Sequence, residues 1–453
     1  MSASSGDVMY MKLMFLLFGH TGPRVTNLVL KRSAVACTLL IVACGDPGSG
    51  SDGSGSDSGS DSASEVSSVA TDDADSDTEA ESDTEAESPP PSDMPADPCA
   101  GPEVAAGQVC FNSGGFLQVG VLPTTVVVAR IDGDDIPDIV AAGVGTAGIR
   151  VVLGLGGGQF NATPVVSDIA LGVRHVAVAD VDRDGFADLA VANVFSPAGT
   201  GVSLGDGEGG FGAAPFATTG MTPRAVAVGH FDADGWPDLA VVDEAGSEVY
   251  VLLSDGQGGV PDIASYAVGE EPYDLVALDL DGDGEVDLAT VGRIAGTISV
   301  LWGDGEGGFE VEAAALATGA GPRGLAVGDV DGDGVPDLLS ADHDADTLSV
   351  LRNLGGRSFA PAQHYAVGAK PYSVLAVDVS GDGLADLVSA DSGQDTITVL
   401  PSIDGFGFGP AESFFVGAGP FDLGSADLDG DGREDLVVAV FGAGEVAVLL
   451  TGT

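Results

Sequence analysis

Seven times along this chain the phrase D-x-D-x-D-G-x-x-D-[LI], or a near copy of it, follows an apolar stretch. Carboxylates at positions 1, 3 and 5 of a tight loop converge on one point, glycine at position 6 permits the turn, and position 9 returns a further carboxylate. Hard oxygen ligands in that number suit Ca²⁺, which accepts six to eight of them in flexible geometry, whereas Mg²⁺ demands a stricter octahedron. Four copies are complete: Asp180/Asp182/Asp184/Asp188, Asp279/Asp281/Asp283/Asp287, Asp329/Asp331/Asp333/Asp337 and Asp427/Asp429/Asp431/Asp435. The sixth copy keeps Asp378, Asp382 and Asp386 but has Ser380 at position 3, which predicts weaker binding. The third has His230 at position 1, with Asp232, Asp234 and Asp238. The first has Arg130 there, with Asp132, Asp134 and Asp138, and Asp135 replaces the glycine. In those two a protein cation stands in for part of a metal's charge. Four to five structural calcium sites are expected. Solvated surface acids would not recur at positions 1, 3, 5 and 9. The loop resembles the start of an EF-hand but closes at position 9 instead of 12.

The elements that must position these loops repeat with them. Position 1 falls at residues 130, 180, 230, 279, 329, 378 and 427, a period of 49 to 50. Such regularity marks a repeat architecture and not a set of separate domains. Each unit parses into four short strands. In the fourth, Leu275–Asp279 leads into the acidic loop, Leu288–Val291 follows, Thr297–Trp302 comes after a turn, and Phe309 opens a weaker last strand. Near-continuous apolar runs suit strands buried on both faces, and no sustained helical period appears. Four strands per unit of this length make a propeller blade. The expected fold is all-β, a seven-bladed β-propeller of four-stranded blades closed by the N-terminal strand. The chain stops after a third strand, Glu445–Thr451, and Gly114-Gly115-Phe116 precedes the first loop, so a strand near Phe116–Val119 completes the last blade. Closure of this kind removes exposed sheet edges. The segment from Phe116 to the first loop is about five residues shorter than its counterparts in the other units.

The seven acidic loops, the recurrent Gly-Phe at 210–211, 308–309 and 407–408, and Gly-Ala-Gly-Pro at 319–322 and 417–420 give the chain a clear resemblance to the FG-GAP/VCBS repeat family, which includes the propeller of integrin α chains. The resemblance covers about 340 residues, Gly115 to Thr453. It implies a seven-bladed propeller with calcium between the first and second strands of a blade. The FG and GAP words match only approximately.

Composition limits the partners. Fifteen Lys and Arg stand against 70 Asp and Glu, for a net charge of −55, which excludes nucleic acid because phosphate binding needs clustered cations. Hydrophobic residues make up 44% of the chain, so the acid sits on something folded. Residues 1–43 read as a signal-peptide region: Lys31-Arg32, an apolar run from Ser33 to Val42, then Cys44. Such a run suits export and is too short to cross a bilayer. The true start is expected later than Met1, near Val25 or Leu28. Ile41-Val42-Ala43-Cys44 resembles the bacterial lipobox, which implies a lipid on Cys44, a membrane anchor, and a place in the cell envelope, with plain secretion as the alternative. Residues 44–97 read as a disordered tether; 45–97 hold 16 Asp and Glu and no Lys or Arg, among Ser, Gly and Pro. Cys99 and Cys110 are expected to pair in a lead-in at 98–114, ahead of the propeller at 115–453.

On the face opposite the acidic loops, the residue six before each loop start is Thr124, Arg174, Arg224, Tyr273, Arg323, Tyr372 and Phe421. Only 11 basic residues follow Cys44, and three fall at this one position. A ring of Arg and aromatic side chains suits carboxylate, sugar or peptide recognition, or caps blade packing. The partner is expected to be a protein or a glycan on this face. The leading reading is an envelope-anchored, calcium-binding propeller acting as a binding or adhesion module. The alternatives are a lectin-like propeller, a polysaccharide-active enzyme, and a scaffold subunit of an envelope complex. Gly201-Val202-Ser203-Leu204-Gly205 matches G-x-S-x-G but aligns with third strands, where a nucleophile elbow needs strand–turn–helix. No catalytic residue is expected.

Overall fold

The computed structural model describes residues 28–33, 36–41 and 109–452, except 145–146, 196–197, 213–215, 257–258, 260–261 and 404–406. The chain divides into two units, Met1–Ser88 and Pro89–Thr453. In the first, Leu28–Ser33 pairs antiparallel with Ala36–Ile41, across part of the basic and apolar stretch read as an export signal. Cys44, the acidic tether and Cys99 lie outside the described residues. Cys110 is disulfide-bonded.

The second unit is a seven-bladed propeller. Six of its antiparallel sheets run from an inner strand to an outer one in chain order. Blade four shows why these residues make these strands. Its second strand, Asp287–Gly292, is buried at all six positions, because blades three and five cover its two faces, so it carries no polar alternation. Its inner strand, Pro272–Leu278, is only partly buried and mixes side-chain types. The apolar clusters span neighbouring blades: Val242, Val249 and Val251 of blade three pack with Leu288 and Leu301 of blade four. At about 1.5–3 kcal/mol for each fully buried aliphatic side chain, these seams hold the ring together.

The last blade is built from both ends of the propeller segment, as expected. Phe111–Gln118 is the outer strand beside Glu445–Thr451, with Phe111 opposite Thr451 and Gln118 opposite Glu445. The register corrects the sequence reading. In other blades the repeat phenylalanine faces the residue 16 beyond position 9, as Phe309 faces Gly303 and Phe160 faces Gly154. In the last blade that residue is Thr451, so the equivalent phenylalanine is Phe111 and not Phe116. Phe111 packs edge-on against Phe414 at 5.0 Å, while Phe116 is 49% exposed. Counted from Phe111, the first loop begins 19 residues on, as it does from Phe211 to His230, and the apparent shortfall disappears. Gly114-Gly115 serves instead as a bulge in the closing strand, with Gly115 at φ 102°. In blade four Phe309 opens a short last strand, Phe309–Val311, as expected, but in blades two and six the Gly-Phe word ends a hairpin turn after the third strand and the outer strand starts later, at Phe216 and Glu412.

Candidate metal centres and the opposite opening

Each acidic loop joins an inner strand to a second strand, and its carboxylates hold its own backbone. Position 9 starts the second strand and is fully buried in every blade: Asp138, Asp188, Asp238, Asp287, Asp337, Asp386 and Asp435. In blade four, Asp287 Oδ2 accepts from the Leu280 amide at 2.8 Å and Oδ1 from the Gly303 amide at 2.8 Å. The same two bonds recur in the other blades, for example on Asp435 from Leu428 and Thr451. Position 9 therefore ties the loop to the end of the third strand, a role that the ligand count had missed. Burial pushes the carboxyls of Asp287, Asp337 and Asp386 up to about 6, against the amide bonds that pull them down. The other four are raised in the same way.

The remaining positions shape the turn. At position 1, Asp279 accepts from the amides of Gly282 and Gly284. At position 3, Asp281 accepts from the amide of Asp283, which in turn accepts from the amide of Glu285. Among the described residues, carboxylate oxygens converge within 4.8 Å in four groups: Asp180/Asp182/Asp188, Asp279/Asp281/Asp287, Asp329/Asp331/Asp333 and Asp427/Asp429/Asp435. These are the four loops with complete motifs. Asp184, Asp283, Asp431 and Asp337 stand outside those groups, and Asp378, Asp382 and Asp386 form none. The donor set fits a hard cation: every ligand is a carboxylate oxygen. In blade two, Asp180 Oδ1 is buried with no hydrogen-bond partner, an orphan acceptor that a cation would satisfy.

Two arginines from blade five reach into these groups, which the loop motif alone did not signal. Arg357 Nε lies 2.6 Å from Asp281 Oδ2 and its Nη2 3.8 Å from Asp283 Oδ2, while its guanidinium sits 5.0 Å from the Trp302 ring. Arg352 pairs with Asp331. In blade three, His230 Nδ1 lies 3.1 Å from the Trp236 carbonyl, and Arg183 of the preceding loop lies over the Trp236 ring.

At the other end of the inner strands, Thr124, Arg174, Arg224, Tyr273, Arg323, Tyr372 and Phe421 do converge, around an opening of about 70 Å³. A register shift recurs beside them in every inner strand, between Pro223 and Val226 or between Pro272 and Asp274, for instance. Such a bulge re-aims side chains, and here it brings two successive residues to the opening. The first of each pair forms the ring. Several of the second clasp the next blade: Asp422 Oδ2 accepts from the Val126 amide across the closure, Asp274 Oδ2 from Leu325, and His175 Nδ1 from Val226. Arg224 lies 3.6 Å from the Tyr273 ring centroid and 3.5 Å from Glu244. Burial, then Arg174 beside it, pulls the Arg224 guanidinium down to about 10. Arg323 donates to Tyr372 and lies 4.5 Å from its ring. Tyr372 stacks on Phe421 at 4.0 Å.

Ser203 of the G-x-S-x-G segment is buried in the third strand Gly199–Ser203, and its hydroxyl donates to the Gly212 carbonyl. It does not stand on an exposed turn.

Among solved structures, the chain is similar to a crystal structure of BBS1N in complex with ARL6DN, at 13% identity over 75% of this chain and 97% of that one, TM-score 0.54. It is similar to a streptogramin B lyase, at 13% identity over 75% and 97%, TM-score 0.52. It is also similar to virginiamycin B lyase from Staphylococcus aureus, at 12% identity over 76% and 99%, TM-score 0.51. At such identities the likeness shows the fold alone. No curated protein sequence matches the chain. The family model for the FG-GAP-like repeat matches residues 130–191, 230–290, 279–340, 330–389 and 378–438. Five matches, the last four of them overlapping in series, each begin at or beside the first position of an acidic loop and together span more than half of the sequence, which shows that the chain belongs to the FG-GAP-like repeat family.

Proposed function

We propose that this propeller is a calcium-stabilised interaction module, held at the cell envelope by a lipid on Cys44, which engages a partner at the opening opposite its acidic loops and has no catalysis of its own. The observation that carries the metal reading is the convergence of carboxylate oxygens in the four complete loops, with Asp180 Oδ1 buried and unpartnered in one of them. Packed carboxylates repel, and a bound Ca²⁺ removes that cost. A site held at 100-fold over its dissociation constant adds about 2.7 kcal/mol to folding.

Thermal unfolding with calcium and with excess EDTA, alongside metal content, tests this. A large calcium-dependent rise with four or five ions per chain supports the reading; no metal and no shift sinks it. Fractionation of a Cys44→Ser variant tests the anchor, which requires that the variant leave the membrane fraction. The family's fold suits an interaction module. The lyase propellers share only that fold, and Ser203, the one serine in a nucleophile-like motif, is locked in a strand.

A further inference from the structure

The opening opposite the metal loops gathers cations in a chain that has very few. Arg174, Arg224 and Arg323 line it, and the single ion pair that any of the three makes among the described residues is Arg224 with Glu244 at 3.5 Å. The Nε atoms of Arg174 and Arg323 are buried without a hydrogen-bond partner. Burying guanidinium donors unpaired is costly, and that cost falls when an acceptor arrives.

The aromatic residues of the ring are already engaged. Tyr273 carries Arg224 on its face, Tyr372 is shared between Arg323 and Phe421, and Phe421 also stacks on Phe441 at 4.7 Å. A sugar ring seeking an aromatic face finds these covered. Arg323 Nη1 already donates to the hydroxyls of Tyr372 and Tyr273, so what remains to a ligand is the unpartnered Nε side of Arg174 and Arg323, and parallel guanidinium N–H donors match a planar acceptor with two oxygens.

Size and charge narrow the class further. The opening measures about 70 Å³, roughly half of the ~150 Å³ that houses a benzene ring, and is open to solvent, so what it encloses is the size of an end group. Asp274 and Asp422 line it one residue deeper, with oxygens turned to the amides of Leu325 and Val126. With Glu244 they set three carboxylates against three guanidiniums, but burial raises the Asp274 carboxyl towards its neutral form, leaving room for one negative charge better than for two.

We infer that the central opening is a carboxylate-binding site that takes the end group of its ligand. The inference rests on the reading of this face as the binding face. The test follows the arginine Nε–H resonances of the full calcium-loaded chain by NMR. The probes are glucuronate and N-acetylglycine, their uncharged counterparts glucose and N-acetylglycinamide, and inorganic phosphate. The expected result is saturable movement of the Arg174 and Arg323 signals with at least one carboxylate in the millimolar range and none with its uncharged counterpart. The better carboxylate tells an acidic glycan from a peptide terminus. Arg174→Gln should weaken that binding about tenfold, ~1.4 kcal/mol, with the melting temperature held. No saturable response to either carboxylate, an equal response to the uncharged probes, or tighter phosphate binding overturns the proposal, and these readouts do not depend on the variant's folding. A partner captured through this face without any carboxylate response would sink the carboxylate site and leave the face itself standing.

Discussion

Two kinds of aspartate share each acidic loop, and they should separate by mutation. Asp287 holds two buried amides, so Asp287→Ala leaves both unsatisfied and should cost about 2–4 kcal/mol, in EDTA as well as in calcium. Asp279 belongs to the converging group but accepts only from the exposed amides of Gly282 and Gly284, so Asp279→Ala should cost stability mainly when calcium is present. Urea unfolding of both variants, with and without the metal, checks the split. The buried carboxyls also set a pH dependence. Asp287, Asp337 and Asp386 have folded pKa values raised to about 6 from an ordinary 3.8, so the metal-free fold favours their protonated form. Their contribution is full below about pH 4 and is lost as pH rises through 6. Calcium binds the ionised form of Asp287, which converges with Asp279 and Asp281, so the gain in melting temperature on adding calcium should be smaller at pH 5 than at pH 7.5. A gain independent of pH would separate these carboxyls from the metal. The motif spacing made the carboxylates legible, but it could not tell a ligand from a clamp. That distinction needed the amides of Gly303 and its counterparts, which come from a strand 16 residues away.

At the scale of the strands, the closing element is the sharpest case. Phe111→Ala should destabilise the propeller by about 3 kcal/mol, because the ring packs on Phe414 and the seam beside Val438 and Val440. Phe116→Ala should change stability by less than about 0.5 kcal/mol, since that ring is largely in solvent. Thermal melts of the two variants decide it, and a reversed order would mean the register described above is wrong. The period and the second strands were readable because burial on both faces leaves an unbroken apolar run. Register in the outer strand was not, because its short, half-exposed segments carry weak patterns and the Gly-Gly-Phe word, at 114–116, 209–211 and 307–309, serves two different roles. The bulge that aims Arg174, Arg224 and Arg323 at the axis was invisible too. Only the recurrence of position, six residues before each loop, signalled that these side chains meet.

For the whole molecule the dominant fact is charge. With a net charge of −55, the metal-free chain repels itself, most of all in the seven loops on one face. Raising sodium chloride from 20 to 300 mM should therefore raise the melting temperature of the EDTA-treated protein clearly, as the Debye length falls from about 20 to about 6 Å. It should move the calcium-loaded protein much less, since bound ions already neutralise the closest carboxylates. Scanning calorimetry at the two salt levels would show it, and equal shifts would mean that loop repulsion is not what calcium relieves.

The joining of the two ends of the propeller segment in one blade also sets a clock. Phe111–Gln118 is among the first parts of the propeller to be made, and its partner Glu445–Thr451 is the last. At roughly 5–20 residues per second, synthesis leaves that first strand waiting on the order of tens of seconds for the strand it must pair with. Throughout that interval its amides and the Phe111 ring have no native place to go, and any partial ring of blades lacks its final seam. Whatever shields that strand from the wrong neighbour must act then, before the ring exists.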